Sequence, residues 1–323
     1  MKTRILNILY TSRKAGVVAS LALLIAILGV GSEPAFAGSS GKTIAIWRPS
    51  DGTWHVLNLA TQQTVIKQWG QQGDIPVSGD YDGDGTADFA VWRPSTGMWL
   101  IINSSNGTVT SQQWGQQGDI PVPFDYDGDG KTDIAVFRPS TGMWLVINSS
   151  NGMVTSQQWG VSTDVPVPGN YKLGPCGPLF CTTVPAFAVW RPSSGTWFTR
   201  NVGDAAQSQR QWGQAGDIPV PDYYQGGWPF VPVDFAIWRP STGMWAIINS
   251  SDGTSTSQQW GQQGDIPVPD DYDQDGKVDI AVWRPPTGMW YIVNSSDHSM
   301  TSQQLGQQGD IPVKYWVKPP LRQ

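Results

Sequence analysis

Three nine-residue acidic segments carry the side chains of this chain that are best placed for metal chemistry. Each reads D-Y-D-x-D-G-x-x-D, with carboxylates at positions 1, 3, 5 and 9. Those positions, together with the main-chain carbonyl of position 7, supply the oxygen ligands that Ca²⁺ prefers. The candidate ligands are Asp80, Asp82, Asp84, Thr86 and Asp88; Asp125, Asp127, Asp129, Lys131 and Asp133; and Asp271, Asp273, Asp275, Lys277 and Asp279. We therefore expect three Ca²⁺ sites.

The residues around these segments separate them from an EF-hand. Val91, Val136 and Val282 stand at position 12, where an EF-hand places a bidentate Glu. Mg²⁺ suits the pattern less well because it demands near-octahedral geometry and retains its waters. The alternative is an acidic turn that is simply exposed to solvent. Three copies at the same position of the repeat disfavour that alternative.

The acidic segments belong to a longer repeat that must position them. An aromatic-Arg-Pro motif occurs six times, and a second Trp follows each aromatic residue after seven positions. Each unit then reaches Trp-Gly, or Leu305-Gly306 in the last, and closes with Asp-Ile-Pro-Val or its Asp-Val-Pro-Val variant. Sixteen of the 18 Trp residues occupy three repeat positions. Residues fixed by register in this way are expected in the core or between repeats rather than on a glycan-binding surface.

One unit contains four short β-like runs separated by turn residues. We predict strands at Asp119–Phe124, Asp133–Arg138, Met143–Asn148 and about Met153–Trp159. Pro139 ends the second strand because it cannot donate to a ladder. Four antiparallel strands in about 45 residues is the size of a β-propeller blade.

The two ends of the repeat region predict how the ring closes. Residues 43–47 begin directly in a second strand, and residues 310–313 form a first strand without the rest of its unit. The C-terminal strand can therefore complete the first blade. We expect an all-β, six-bladed β-propeller over residues 38–323, closed by that strand. A solenoid is the alternative, but it would need capping ends rather than complementary ones.

The first 37 residues have the pattern of a secretory signal peptide. Four basic residues precede an apolar run, and Ala35-Phe36-Ala37 gives an A-x-A cleavage pattern. An uncleaved N-terminal anchor is the alternative. We expect a secreted protein, extracellular or periplasmic, with no membrane span in the mature chain and a monomeric state. Removal of the signal moves the net charge from −6 to −9, which disfavours nucleic-acid binding.

The acidic loop has decayed in the fourth and fifth blades. Asn170 and Lys172 replace the first two acidic positions in the fourth blade, which also contains Cys176 and Cys181. A close cysteine pair in a secreted protein predicts a disulfide; two reduced thiols are the alternative. In the fifth blade only Asp234 remains of the acidic set. Trp228, in an insert of that blade, is the candidate for ligand contact, with local packing as the alternative.

The D-x-D-G-D-G-x-x-D loop, followed by D-[IF]-A-V-W-R-P, resembles the FG-GAP/VCBS repeat, a family that includes the integrin α-chain propeller and many bacterial secreted proteins. The resemblance implies a Ca²⁺-stabilised propeller with its metal loops on one rim. It also implies a domain that binds proteins or glycans. The chain departs from the family in having Trp-Arg-Pro where the family name places Gly-Ala-Pro.

Two further sets of polar residues also follow the repeat. Six Arg of the Arg-Pro motif are matched in number by the six Asp that open the Asp-Ile/Val-Pro-Val elements, and we expect them to pair, within or between blades. A ring of Arg that recognises acidic ligands is the alternative. Asn-Ser-Ser occurs at four third-to-fourth strand turns, either as a glycosylation acceptor or simply as part of the repeat.

The sequence contains few residues or motifs that indicate catalysis. His55 and His298 are the only histidines, Glu33 leaves with the signal, and no nucleophile motif of the G-x-S-x-G kind occurs. We therefore expect no enzyme but a binding or adhesion module for protein partners. A lectin with repeated pockets between blades is the alternative, and a Ca²⁺-dependent polysaccharide-acting enzyme is less favoured. The protein hypothesis places ligand contacts on the irregular loops 171–185 and 223–232.

Overall fold

Short antiparallel strands form the regular structure of this protein in a computed structural model that describes residues 43–177, 181–227 and 230–314. They make six sheets, which are the six blades of a β-propeller. The signal-peptide prediction and Trp228 lie outside the described residues. No helix long and apolar enough to cross a membrane occurs within the described ranges.

The first three blades have four strands each. Blade 1 contains β1 (Thr43–Arg48), β2 (Thr53–Asn58), β3 (Thr64–Gln68) and the last strand of the chain, β25 (Ile311–Val313). Blade 2 contains β4 (Ile75–Pro76), β5 (Phe89–Arg93), β6 (Met98–Ile102) and β7 (Val109–Gln113). Blade 3 contains β8 (Ile120–Pro121), β9 (Ile134–Arg138), β10 (Met143–Ile147) and β11 (Val154–Gln158).

The fourth blade gains a fifth strand, whereas blades 5 and 6 keep four. Blade 4 contains β12 (Val165–Pro166), β13 (Gly169–Cys176), β14 (Cys181–Arg191), β15 (Thr196–Asn201) and β16 (Gln207–Gln211). Blade 5 contains β17 (Ile218–Pro219), β18 (Phe235–Arg239), β19 (Met244–Ile248) and β20 (Ser255–Gln259). Blade 6 contains β21 (Ile266–Pro267), β22 (Ile280–Arg284), β23 (Met289–Val293) and β24 (Met300–Gln304).

The ring closes as the ends of the repeat region predict. Strand β25 pairs antiparallel with β1, placing Val313 opposite Ala45 and Ile311 opposite Trp47. The first and last strands of the propeller therefore share one sheet, which removes an open sheet edge at the seam.

The first strand of each repeat is shorter than predicted. In blade 3 the ladder of β8 covers only Ile120 and Pro121, although an isolated bridge continues the pairing from Phe124 to Asp133. Pro121 and Pro123 have no N–H group, so the ladder cannot continue without interruption.

Aromatic pairs fill each blade. The aromatic residue before each Arg-Pro lies opposite the Trp seven residues later, as Trp92 lies opposite Trp99. These side chains are fully buried. Both indoles of blade 2 donate to the carbonyl of Trp114, and the Trp114 indole donates at 3.0 Å to Leu145 O in blade 3. The repeat tryptophans therefore form cores and junctions, as predicted.

The six Arg residues pair with the six Asp residues, always inside one blade. Asp119 accepts two hydrogen bonds from Arg138, at 2.8 and 2.9 Å, and a third from the main-chain N–H of Gln116. The Asp side chains are at most 1% exposed, and the Arg side chains 21–30%. The other pairs are Arg48–Asp310, Arg93–Asp74, Arg191–Asp164, Arg239–Asp217 and Arg284–Asp265.

Candidate metal centres and the adjoining cavity

Each predicted acidic loop brings three carboxylates together. Oxygens of positions 1, 3 and 9 lie within 4.8 Å of one another in blades 2, 3 and 6. The three triads are Asp80, Asp82 and Asp88; Asp125, Asp127 and Asp133; and Asp271, Asp273 and Asp279. Carboxylate oxygens grouped at this spacing could bind metal ions.

The loop backbone holds the first Asp of each triad in place. In blade 3, Gly128 N and Gly130 N donate to the two oxygens of Asp125, at 2.7 and 2.9 Å. Both glycines have a positive φ, which lets the chain curl around the carboxylate. The hydroxyl of Tyr126 donates to Val122 O and ties the loop to the blade.

The ninth position joins the loop to the rest of the blade. Asp133 is fully buried and accepts main-chain hydrogen bonds from Tyr126 at 2.7 Å and Ser149 at 2.6 Å. Burial raises the pKa of Asp133 to about 6, and the charge of Asp127 adds to the shift. The equivalent Asp279 has its pKa raised to about 7, again mainly by burial. A bound cation would favour the ionised form of both groups.

Serines of the third-to-fourth strand turn complete each centre, and sequence reasoning missed them. Ser150 Oγ donates to Asp127 at 2.6 Å, and Ser149 Oγ donates to Asp129 at 3.0 Å. Blades 2 and 6 repeat these contacts with Ser104 and Ser105 and with Ser295 and Ser296. The signal was available, because all three blades with a complete acidic loop also carry Asn-Ser-Ser.

The fifth and seventh positions stand apart from the triads. Asp84, Asp129 and Asp275 accept serine hydroxyls and are not among the grouped carboxylates. The carbonyls of Thr86, Lys131 and Lys277 remain predicted ligands.

The residues present fit a hard cation. Oδ1 of Asp271 in blade 6 is buried and has no donor in hydrogen-bonding geometry. A buried carboxylate oxygen without a partner carries a large desolvation cost, which a cation in the triad would remove. All side-chain donors of the triads are carboxylates, the class that Ca²⁺ prefers over N or S ligands.

The two decayed loops have a different structure. In blade 4 the hairpin β13–β14 replaces the acidic loop, and a disulfide joins Cys176 to Cys181 near its tip, as predicted. Lys172 pairs on the surface with Asp204. In blade 5 the surviving Asp234 still accepts the main-chain N–H of Ser250 at 2.7 Å.

A cavity of about 750 Å³ lies beside the metal loops. Its lining combines the first Asp of each triad with residues of the decayed loops, among them Asn170, Thr183, Pro185, Tyr223 and Phe230. The irregular loops of blades 4 and 5 thus reach the cavity, whereas His55 and His298 do not line it.

A lysine from the ring closure projects into this cavity. Lys314 follows β25 and pairs with Asp222, while its carbonyl accepts the hydroxyl of Ser78. Burial lowers the pKa of Lys314, but the charges of Asp222 and Asp270 outweigh that effect and raise it. Asp222 and Asp270 directly precede position 1 in blades 5 and 6, and Gly79, Phe124 and Gly169 stand there in blades 2, 3 and 4.

Comparisons with solved structures return matches at low sequence identity. A lectin from Agrocybe aegerita that recognises non-reducing terminal N-acetylglucosamine matches with a TM-score of 0.50 and 13% identity, covering 84% of this chain and 78% of the lectin. Apo AztD from Citrobacter koseri gives a TM-score of 0.44 and 11% identity, covering 84% and 98% of the two chains. The likeness to the lectin shows the fold alone.

Comparison at the sequence level is more specific. A search of curated proteins finds no match. The FG-GAP-like repeat matches residues 80–136, which run from the acidic loop of blade 2 to strand β9 of blade 3. That segment contains two of the three carboxylate triads. This chain therefore carries an FG-GAP-like repeat within a six-bladed β-propeller.

Proposed function

We propose that this protein is a secreted, Ca²⁺-stabilised binding module that recognises protein partners at the cavity on its loop face. The cavity carries the proposal, since the decayed loops of blades 4 and 5 line it together with the intact acidic loops. Tyr223 and Phe230 from the decayed loop of blade 5 line it together with Asn170 and Pro185 of blade 4. Concave sites that combine apolar walls with a few converging polar groups are the usual places for ligands.

The acidic loops are assigned to stability rather than to ligand recognition. Ca²⁺ bound to a triad would neutralise the buried carboxylates and join the first and second strands of its blade. Secretion agrees with the disulfide at Cys176 and Cys181, since disulfides persist in oxidising compartments.

The proposal assigns no catalytic role. His55 accepts or donates at 3.0 Å to the hydroxyl of Thr53, and His298 occupies a turn with a φ of 60°. Neither histidine reaches the cavity.

The lectin alternative expects exposed aromatic pockets between blades, and the positions of the repeat tryptophans do not favour it. Eleven of the repeat tryptophans are at most 1% exposed, and the Trp69 indole already donates to Leu100 O. Those eleven tryptophans therefore present no exposed ring face to a glycan.

Thermal melting with and without Ca²⁺ tests the metal assignment. We expect a higher Tm in Ca²⁺ than in chelator, because ion binding to the folded state adds its binding free energy to stability. The variant Asp127→Asn should reduce the difference, whereas Asp252→Asn, in an exposed turn, should leave it unchanged. Equal melting temperatures in Ca²⁺ and chelator would contradict the assignment.

Peptide and glycan arrays probed with the labelled protein in Ca²⁺ test the binding site. We expect peptide binding that is lost in Phe230→Ser, since Phe230 lines the cavity and is 39% exposed. The control Val154→Ser changes an exposed apolar residue on β11 and should retain binding. Binding to glycans alone would support the lectin instead. Binding to neither peptides nor glycans would contradict the proposal.

A further inference from the structure

The acidic loops of blades 2 and 3 touch each other directly. Thr132 N, at position 8 of the blade 3 loop, donates at 2.7 Å to the main-chain carbonyl of Asp80. Asp80 is also the first carboxylate of the blade 2 triad. One residue therefore takes part both in the candidate metal centre and in the contact with the neighbouring loop.

Two close packing contacts reinforce that hydrogen bond. A Cβ on Gly79 would lie 2.8 Å from Thr132 Oγ1, and a Cβ on Gly83 would lie 2.9 Å from Lys131 Cε. Thr132 and Lys131 thus cover the backbone of the blade 2 loop at two points. Lys131 also supplies the predicted position 7 carbonyl of the blade 3 centre.

Other junctions contain the same contact without a second metal centre. Val278 N donates to Tyr223 O, and Val233 N donates to Asn170 O, at 3.1 and 2.8 Å. Their acceptor loops, in blades 5 and 4, carry no carboxylate triad among the described residues. At the junction of blades 3 and 4 the donor position is Pro185, which has no N–H.

We propose that the loops of blades 2 and 3 bind Ca²⁺ as a coupled pair through Thr132 and Lys131, whereas the loop of blade 6 binds its ion independently. The inference rests on the proposed Ca²⁺ assignment. The Lys131 carbonyl would help to hold an ion in blade 3, and that contact would restrain the next peptide group, whose N–H donates to Asp80. A second ion would then bind the loop of blade 2 when that loop is already partly ordered. Less conformational entropy would be lost on binding, so the affinity would be higher, which is positive cooperativity.

Charge acts against this coupling, because the first cation lowers the negative potential at the second loop. Screening weakens that repulsion beyond about 8 Å at physiological ionic strength. The ordering effect acts through directly bonded groups and is not screened. We therefore expect cooperativity to be positive at 0.15 M salt and to persist at higher salt.

Three single variants separate the pairs of sites. Asp273→Asn leaves the centres of blades 2 and 3, Asp127→Asn leaves those of blades 2 and 6, and Asp82→Asn leaves those of blades 3 and 6. In Ca²⁺ titrations by calorimetry, we expect only Asp273→Asn to bind its two ions cooperatively, the second about fivefold or more tighter. Independent or antagonistic binding in that variant would overturn the coupling.

A second change tests the contact itself. Thr132→Pro added to Asp273→Asn removes the donor, as Pro185 does at the equivalent position of blade 4, where a hairpin replaces the acidic loop. Lys131→Ala keeps the N–H and the carbonyl but removes the cover over Gly83. We expect two independent sites in Thr132→Pro/Asp273→Asn. When Lys131→Ala is added to Asp273→Asn instead, we expect the cooperativity between the two sites to be reduced.

The matched control is Val278→Pro added to Asp82→Asn. It removes the equivalent hydrogen bond, from Val278 N to Tyr223 O, whose acceptor loop carries no carboxylate triad among the described residues. It measures what proline alone does to the affinity of its own site. Full cooperativity in Thr132→Pro/Asp273→Asn would contradict the role of this contact. Absence of Ca²⁺ binding in the unmodified protein would instead contradict the proposed metal assignment.

Discussion

At the scale of single residues, each buried Asp of the Arg–Asp pairs accepts two hydrogen bonds from the Arg of its own blade. Asp119 accepts two hydrogen bonds from Arg138 and one from the main chain of Gln116. The guanidinium groups are held by this geometry and cannot turn towards an acidic ligand without leaving a carboxylate unpaired. We therefore expect the pairs to be structural in all six blades.

Replacing Arg138 with Met tests this role. Loss of one partner leaves Asp119 buried and charged, and we expect the free energy of unfolding to fall by about 3 kcal/mol. Denaturant unfolding measures this change in the free energy of unfolding, and we expect the m-value to stay the same. Lys172→Met is the matched control, because Lys172 and Asp204 are both half-exposed and their pair should add no measurable stability. Equal stability of Arg138→Met and the unmodified protein would contradict the structural assignment.

The ninth-position carboxylates make the metal-free protein sensitive to pH. Burial raises the pKa of Asp279 to about 7 from its usual 3.8, so the folded state holds the proton more tightly than the unfolded state. This contribution is complete below pH 3.8 and is lost as the pH rises through about 7. In chelator, we expect Tm to fall between about pH 4 and pH 7.

Melting curves across that range check the prediction. Asp279→Asn should reduce the slope of Tm against pH, whereas Asp204→Asn should not change it. The hydrogen bond from Lys172 lowers the pKa of Asp204, so its titration lies below this window. Saturating Ca²⁺ should remove the decline, because the cation favours the ionised carboxylates. A Tm that rises with pH in chelator would show that the carboxylates are ionised throughout.

At the scale of secondary-structure elements, the turn between the third and fourth strands requires one left-handed residue in every blade. Glycine fills it in three blades, with φ between 69° and 74° at Gly107, Gly152 and Gly253. Gln62, Ala205 and His298 fill it in the others, with φ between 53° and 60°. A residue with a Cβ pays a steric penalty of about 1–2 kcal/mol in this conformation.

Exchanging residues between these turns measures the penalty. Ala205→Gly should raise the free energy of unfolding and Gly152→Ala should lower it, each by about 1 kcal/mol. A Cβ at Gly152 would meet no atom within 4 Å, so only the backbone conformation is tested. Gly203→Ala is the control, because its space is also open and its φ is not in the left-handed region. Gly203→Ala should be neutral or stabilising; opposite signs for the first two variants would contradict the argument.

At the scale of the whole molecule, hydrogen bonds from indoles join successive blades around the ring. Trp69, Trp114, Trp159, Trp212 and Trp260 each donate to a carbonyl of the following blade. Leu305 occupies this position in blade 6 and has no such donor. Blades 6 and 1 are instead joined by an apolar cluster that includes Ile46 and Trp283, and strand β25 with the Arg48–Asp310 pair completes the sheet of blade 1.

Shortening the chain tests the role of β25. A protein ending at Gly309 loses β25 and leaves the guanidinium of Arg48 without its carboxylate, and we expect it to lose cooperative thermal unfolding and to bind a hydrophobic dye. A protein ending at Lys314 keeps every contact described for the closure and should melt cooperatively. Cooperative unfolding of the shorter protein at an unchanged Tm would show that the ring does not need its closing strand.

The sequence by itself determined the features that depend on short separations along the chain. The carboxylates of each triad lie within nine residues, so their grouping follows from the local turn at Gly85, Gly130 or Gly276. Blade number, strand pairing and the Arg–Asp pairs follow from the repeat, because each occurs once in every unit. Even the closing strand was evident, since the two ends of the repeat region are complementary.

Only the tertiary structure decided the contacts that join different parts of the ring. Ser149 and Ser150 reach the acidic loop from about 20 residues away, and Thr132 reaches Asp80 from the next blade. Lys314 meets Asp222 across 92 residues of chain. The serine contacts recur at one spacing in blades 2, 3 and 6. The contacts of Thr132 and Lys314 instead depend on the twist of each sheet and the angle between blades, which arise from packing of the whole ring.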